Sequence, residues 1–242
     1  MGILYNRFTP PKPSSLIPYS DQSKIVTYLS PDSFMGSSST VWGNNYPVPM
    51  VRGDSSVWSL NSDNSVRLST PGSLLTSGSF AMDTTTVTQA TYTVYMVVKY
   101  NAENTDTSFP NLTIVRSTSP DFYIYRAYQD NVNVRFGSVN ISTLTPSSSA
   151  FGNYHVYAFR QQRSSSTPSQ GVYHHAVDDG SLVLLRPTNP PNTSQTTKFG
   201  FTSFARDVSV DVKFLSIIMG SDESDSTVLD NVNNIMAELH VS

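Results

Sequence analysis

The chain has 242 residues, 38% of them hydrophobic and 11% aromatic, which is enough apolar material for one sizeable buried core. Only 14% of the residues are charged, the net charge is −3, and Lys and Arg are scattered singly, so we expect no nucleic-acid partner. The absence of cysteine excludes disulfides, thiolate metal sites and cysteine nucleophiles. No apolar run approaches the roughly 20 residues that span a bilayer, so we expect no membrane insertion.

The first 24 residues predict an extended N-terminal arm. Prolines at positions 10, 11, 13 and 18 fix φ and remove backbone donors, which opposes sheet formation. Six apolar residues of the arm are predicted assembly contacts with a partner: Ile3, Leu4, Tyr5, Phe8, Leu16 and Ile17. Docking of the arm onto its own domain is the alternative. If the arm serves assembly, removal of residues 1–20 should leave the domain folded and weaken its incorporation.

From residue 25 onward the pattern is that of short β-strands. Residues 55–75 predict a strand, a turn at Ser62-Asp63-Asn64, a second strand and a break at Pro71-Gly72. The segment TYTVYMVVKY, residues 91–100, is apolar at both alternating sets of positions. It therefore predicts a central strand that is covered on both faces.

Two hairpins are predicted in the second half of the chain. Residues 122–128 and 132–136 form the first, with one face in water. Residues 172–177 and 182–185 form the second, around Asp179-Gly180. This pair tolerates positive φ and is the strongest turn signal in the chain.

The C-terminal end predicts a strand followed by a helix. Residues 208–219 predict the strand, and its alternation puts Val212 and Phe214 on one face. Either Ser224 or Ser226 can cap the helix, which should be the only long one. Six apolar residues at helical spacing predict it over residues 227–239: Val228, Leu229, Val232, Ile235, Met236 and Leu239.

This order of parts resembles the laminin-G-like or concanavalin A-like jelly-roll family, which occurs as lectin domains and in bacteriophage structural proteins. Three segments carry the resemblance: residues 91–100, the strand and hairpin of residues 154–185, and the strand, Ser/Asp turn and helix of residues 208–239. The resemblance implies an all-β, two-sheet antiparallel jelly-roll sandwich at residues 25–242, with the extended arm at residues 1–24. Family members bind saccharides or proteins, often with calcium, but no motif here carries such a site over.

No constellation in the sequence points to catalysis or to a metal. Glycoside hydrolysis needs two facing carboxylates, and no predicted strand carries two at a spacing of two. The acidic run at residues 222–225 lies before the helix, where capping explains it. Adjacent His174 and His175 point to opposite faces of a strand, and His155 stands alone. We therefore expect no enzymatic activity, no metal and no cofactor.

Aromatic side chains are the more credible binding groups, because Tyr joins an apolar ring to a polar tip. Packing of these rings between the sheets is the alternative. The first hairpin carries the predicted ligand-binding cluster: Tyr123, Tyr125, Arg126 and Tyr128.

Three functions remain open. The first is a non-enzymatic virion structural protein of a bacteriophage, a decoration, fibre or spike component that contacts other virion proteins or copies of itself. It would be made in the host cytoplasm without a secretion signal, which the N-terminus lacks, and carried on the extracellular particle. The second is an adhesin or receptor-binding domain for a cell-surface saccharide. The third is a sandwich-fold glycoside hydrolase.

Overall fold

The computed structural model describes residues 15–32, 41–42, 46, 50–52, 58–68, 72–77, 80–82, 92–101, 113–117, 122–126, 132–136, 139–144, 152–163, 171–178, 180–185, 195–203 and 210–241. A short 3-10 turn, Gln22–Lys24, precedes the first strand. In chain order the elements of these ranges are β1 (Ile25–Leu29), β2 (Val41–Trp42), β3 (Met50–Arg52), β4 (Trp58–Leu60), β5 (Val66–Leu68), β6 (Gly72–Ser77), β7 (Phe80–Met82), β8 (Tyr92–Tyr100), β9 (Thr113–Ser117), β10 (Phe122–Arg126), β11 (Val132–Phe136), β12 (Val139–Leu144), β13 (His155–Arg163), β14 (Gly171–Val177), β15 (Val183–Leu185), β16 (Gln195–Ser203), β17 (Val210–Met219) and helix α1 (Asp225–Leu239).

The strands form two antiparallel sheets. The first sheet has the order β15-β14-β13-β8-β17-β5-β4, and β1 also pairs with β17. The second has the order β12-β11-β10-β9-β16-β6-β3-β2, and β7 also pairs with β16. Within the described residues, α1 is the one long helix. The predicted all-β sandwich with a C-terminal helix is confirmed.

Strand β8 is the centre of the first sheet. It lies between β13 and β17, and residues 92–98 are all buried. Tyr95 and Val97 belong to the core under α1, whereas Val94 and Met96 point to the other face and are equally inaccessible. The prediction of a central strand covered on both faces is confirmed.

A β-bulge in β17 reverses part of the predicted pattern. In the ladder with β8, Val212 lies opposite Val98 and Phe214 opposite Val97, with Lys213 as the extra residue. Neighbouring residues of a strand face opposite sides, so Phe214 turns away from the face that Val212 occupies. It joins the core under α1. The prediction that Val212 and Phe214 share a face is therefore wrong.

Helix α1 begins and ends with defined caps. Of the two candidate serines, Ser224 is the N-cap, and its Oγ accepts a hydrogen bond from Thr227 N at 3.1 Å. At the other end His240 has φ 52°, and Val241 N donates to Met236 O at 3.0 Å, which closes a Schellman motif. The apolar face between these caps packs on the first sheet: Val228, Val232, Ile235 and Leu239.

The N-terminal segment at residues 15–24 packs against α1. Leu16 and Ile17 are 6% and 0% exposed and belong to the same core as the apolar face of the helix. Asn234 Nδ2 donates to Ser15 O at 2.7 Å, so the backbone of the segment is fixed too. This part of the predicted arm therefore docks onto its own domain, which was the alternative to an assembly contact.

Two of the six predicted assembly contacts are thereby corrected. Leu16 and Ile17 bury their side chains in the chain's own core, because an amphipathic helix next to them offers an apolar surface. The other predicted contacts lie outside the described residues and stay predictions: Ile3, Leu4, Tyr5 and Phe8.

A buried polar network holds the start of α1 on the sheet. The side chain of Arg160 is 0% exposed, and its guanidinium donates to Glu223 O at 2.8 Å and to Asp225 Oδ1 at 2.5 Å. Tyr95 OH donates to Glu223 Oε2 at 2.9 Å and accepts from Asn231 Nδ2 at 3.2 Å. Burial, together with the Glu223 charge, holds the pKa of Tyr95 well above its ordinary value. The acidic run before the helix thus does more than favour its N-terminus.

Candidate functional site

Four polar residues cross the first sheet at one end. Tyr154 directly precedes β13, in which His155 lies opposite Val98, so Tyr154 lies beside Lys99. Lys99 lies opposite Asp211, and Asp211 lies opposite Arg67. We call these four residues, Tyr154, Lys99, Asp211 and Arg67, the polar row. Lys99 is two residues beyond Val97, so the row is on the same face as α1.

Asp211 is the centre of the row and is 0% exposed. Arg67 donates to it twice, from Nε at 2.8 Å and from Nη2 at 3.0 Å. Lys99 Nζ lies at 3.0 Å and Asn101 Nδ2 at 2.8 Å. Burial alone would raise the pKa of Asp211, but the hydrogen bonds from Arg67, Lys99, Asn101 and Asn61 outweigh it and lower the pKa to about 2. Asp211 is therefore a fixed anion that organises the cations around it.

The ring of Tyr154 is half-buried, and two ammonium groups lie close to it. Lys99 Nζ is 4.6 Å from the ring centroid and Lys213 Nζ is 5.0 Å from it, so both are within cation–π range. The hydroxyl donates to Asp63 Oδ2 at 2.8 Å and lies 2.7 Å from Ser65 Oγ. Burial of the ring raises the pKa of Tyr154, so the hydroxyl stays protonated and donating.

The turn between β4 and β5 brings Asp63 to the row. Asn64 adopts φ 60° there, and Asp63 Oδ1 accepts from Ser65 N at 3.1 Å and from Ser65 Oγ at 2.6 Å. Burial would raise the pKa of Asp63, but the hydrogen bonds from Ser65 and Tyr154 lower it overall. The turn predicted at Ser62-Asp63-Asn64 is confirmed, and it carries a second fixed anion.

The polar row lies next to the C-terminal end of α1, on the same face of the sheet. Lys213, the bulged residue of β17, donates from Nζ to Leu239 O at 3.3 Å, at the C-terminal end of the helix. Arg67 is 41% exposed and Lys99 is 20% exposed. The surface therefore presents guanidinium and ammonium donors beside an aromatic ring, which are the groups that orient a polar ligand.

The ligand-binding cluster predicted from the sequence lies in the other sheet. Tyr123, Tyr125 and Arg126 belong to β10, between β9 and β11, and Tyr125 is opposite Asn133. Tyr128 lies outside the described residues. Ligand binding by these four residues stays a prediction.

A His–Asp pair lies near the same end of the first sheet. His155 does not stand alone, because its Nδ1 is 2.8 Å from Asp178 Oδ2. Asp178 Oδ1 also accepts from Val156 N at 2.8 Å, and Asp178 has φ 49°. The side chains of His155 and Asp178 are 1% and 6% exposed. An acid–base pair must touch its substrate, so this buried pair acts as a structural link between β13 and the end of β14.

The sequence analysis predicted neither the His155–Asp178 pair nor the ion pairs of Asp211, although the sequence holds a signal for each. The register of β13 with β14 brings residue 155 near residue 178 once the hairpin is drawn. Arg67 and Lys99 are each the one charged residue of their strand, and Asp211 is the one acidic residue of β17. Their pairing depends on which strands are neighbours, and this is a long-range property.

Neither a metal site nor a membrane span is found in the described ranges. There, no three His, Asp or Glu residues cluster as metal ligands would. The helical segments of those ranges are not long and apolar enough to cross a membrane.

Comparison with known proteins identifies the fold. No protein-family model matches the sequence, and no curated protein matches it. The binding domain of botulinum neurotoxin DC in complex with SialylT is similar in structure, with a TM-score of 0.56 at 11% identity over 88% of this chain. The botulinum neurotoxin type G receptor binding domain gives 0.57 at 12% identity over 86% of this chain. A Trypanosoma rangeli sialidase in complex with sialic acid gives 0.55 at 12% identity over 89% of this chain.

The chain matches only part of each of these other proteins. The chain spans 51% of each neurotoxin domain and 33% of the sialidase. At such identities the comparison establishes the fold alone, which is a β-sandwich.

Proposed function

We propose that this chain is a non-catalytic recognition module that binds a saccharide on its lectin-like sandwich. The observation that carries the proposal is the half-buried ring of Tyr154 with the ammonium groups of Lys99 and Lys213 over it, in the same row as Arg67. An aromatic ring covers the apolar face of a sugar, and the surrounding donors orient its hydroxyl groups.

The ligands of two structural neighbours support a saccharide as the ligand of this chain. One neurotoxin binding domain is in complex with SialylT, and the sialidase is in complex with sialic acid. These ligands belong to those proteins. They support the proposal because this chain has a similar fold and its polar row offers an aromatic ring and hydrogen-bond donors, which suit a saccharide.

The charge state of the polar row supports a non-catalytic role. Glycoside hydrolysis needs one protonated carboxyl group and a second, available carboxylate. Asp63 and Asp211 both have lowered pKa values, and Asp211 is fully buried among its donors. Neither of these two carboxylates therefore has the properties of a general acid.

We place this module on a virus particle of a bacteriophage, as a decoration, fibre or spike component. The resemblance to jelly-roll domains of phage structural proteins supports this setting. So does the N-terminal sequence, because Ile3, Leu4, Tyr5 and Phe8 precede the segment anchored by Leu16 and Ile17. An adhesin of another source is the alternative.

Binding of the full chain to an array of glycans tests the proposed function. We expect retention on a subset of the glycans, with no release of reducing sugar. Tyr154→Ala should abolish retention, whereas Tyr19→Ala, at a tyrosine that is 57% exposed outside the row, should not. Absence of retention on every glycan, or equal retention by both variants, contradicts the proposal. Turnover that depends on an Asp or Glu would contradict the non-catalytic role.

The viral setting has a separate test. Purified particles should contain the chain, and deletion of residues 1–14 should lower its occupancy on the particle. Unchanged occupancy would remove the role of these residues in assembly and favour the adhesin.

A further inference from the structure

We propose that the saccharide is acidic and that its carboxylate binds on the outward edge of the Arg67 guanidinium. This inference rests on the proposed function and names the ligand class for the same site. It depends on the geometry of Arg67, on the charges around it and on the anion that holds it.

Arg67 keeps one edge of its guanidinium open. The group has five N–H donors in a planar fork. Nε and one N–H of Nη2 bind Asp211 side-on. One N–H of Nη1 and the second N–H of Nη2 form the other edge. Within the described ranges, Asp211 is the only hydrogen-bond partner of the guanidinium. Two parallel donors on one edge match the two oxygens of a carboxylate.

The exposure of Arg67 is consistent with a second ligand. Its side chain is 41% exposed, while the carboxylate that orients it is 0% exposed. Asp211 therefore acts as a positioning residue, because it fixes the plane of the guanidinium before a ligand arrives. A fixed guanidinium loses little conformational freedom on binding, and this favours affinity.

The charges around the row favour an anion. Arg67, Lys99 and Lys213 surround the two carboxylates of Asp63 and Asp211, so cations are in excess there. The chain as a whole has a net charge of −3. The polar row is thus a locally positive surface on an acidic protein, and it attracts acidic ligands.

A carboxylate suits the row better than a doubly charged phosphate. Asp63 is exposed, and its lowered pKa keeps it ionised next to the site. Its repulsion grows with the charge of the ligand, so a singly charged group loses least. The exposed part of the Tyr154 ring can then contact the sugar that carries the carboxylate.

Calorimetric titration of the full chain with matched saccharides tests the inference. The first pair is an oligogalacturonate and its methyl ester, and the second pair is sialyllactose and lactose. We expect the acidic member of at least one pair to bind about tenfold or more tighter than its neutral partner. The preference should decrease at high salt, because it is electrostatic.

Variants of Arg67 identify the group that recognises the acid. Arg67→Gln should abolish the preference, and Arg67→Lys should lose most of it because Lys lacks the fork. Lys24→Gln removes one exposed charge away from the row and should leave the preference unchanged. Since Arg67 also pairs with a buried carboxylate, thermal unfolding of each variant shows whether it is folded at the titration temperature. The salt dependence of the unmodified chain tests the inference without any variant.

The outcomes separate this inference from the proposed function. Equal affinity for the acidic and neutral members overturns the acidic ligand and leaves saccharide binding intact. Tighter binding of lactose 3-sulfate than of sialyllactose overturns the carboxylate in favour of a sulfate. Absence of binding to every saccharide overturns both proposals.

Discussion

At the scale of single residues, Asp211 explains how the first sheet tolerates a charge in a buried position. A carboxylate with 0% exposure is costly unless donors replace its water. Arg67, Lys99 and Asn101 supply those donors at 2.8–3.0 Å. The same contacts hold the cations of the row in place, so one residue serves both stability and the candidate site.

Replacement of Asp211 by Asn should make the free energy of unfolding depend less on pH at acid pH. The pKa of Asp211 in the folded chain is about 2, below its ordinary value of 3.8. The charged form therefore stabilises the fold above about pH 4, and this contribution, about 2 kcal/mol, is lost as the pH falls through about 2. Urea unfolding at a series of pH values should show a steeper loss in this window for the unmodified chain than for Asp211→Asn. Parallel curves would show that the carboxylate is not stabilised by its partners.

At the scale of elements, the sequence predicted strands and helices best where one hydrophobic pattern was strong. The apolar run of β8 and the helical spacing of α1 are local signals, and both elements were found. β9, β12 and β16 were not predicted, because their many Ser, Thr and Asn residues form strands only beside suitable neighbours. The bulge at Lys213 was missed because alternation along one strand does not reveal its register with another.

The N-cap of α1 offers a matched pair of substitutions. Ser224→Ala removes the acceptor of the Thr227 N–H and should lower the free energy of unfolding by about 1 kcal/mol. Ser226→Ala, two residues further along the chain and also exposed, should change the free energy of unfolding by no more than about 0.5 kcal/mol. Chemical denaturation measures both. A larger loss of stability in the Ser226 variant than in the Ser224 variant would show that Ser226, and not Ser224, caps the helix.

At the scale of the whole molecule, residues 15–24 and the C-terminal helix meet on the first sheet. Residues 15–24 pack against α1, and Asn231 Oδ1 accepts from Tyr19 N at 3.1 Å. The sequence suggested that residues 1–20 could be removed without loss of the fold. The burial of Leu16 and Ile17 moves the expected limit of harmless truncation to residue 14.

Two variants test this limit. Deletion of residues 1–14 should leave the unfolding temperature nearly unchanged, because the anchoring side chains remain. Ile17→Ala opens a cavity under the helix and should lower the free energy of unfolding by about 2–5 kcal/mol. If the deletion is as damaging as the Ile17 substitution, the first residues are themselves part of the core.

Hydrogen exchange with and without a saccharide identified on the array tests the claimed position of the saccharide site. We expect the added ligand to slow exchange at residues 61–67, 99–101, 153–155 and 211–213, which form and flank the polar row. Protection confined to residues 122–136 would contradict the claim. It would instead assign the site to the hairpin of Tyr123 and Tyr125 that the sequence suggested.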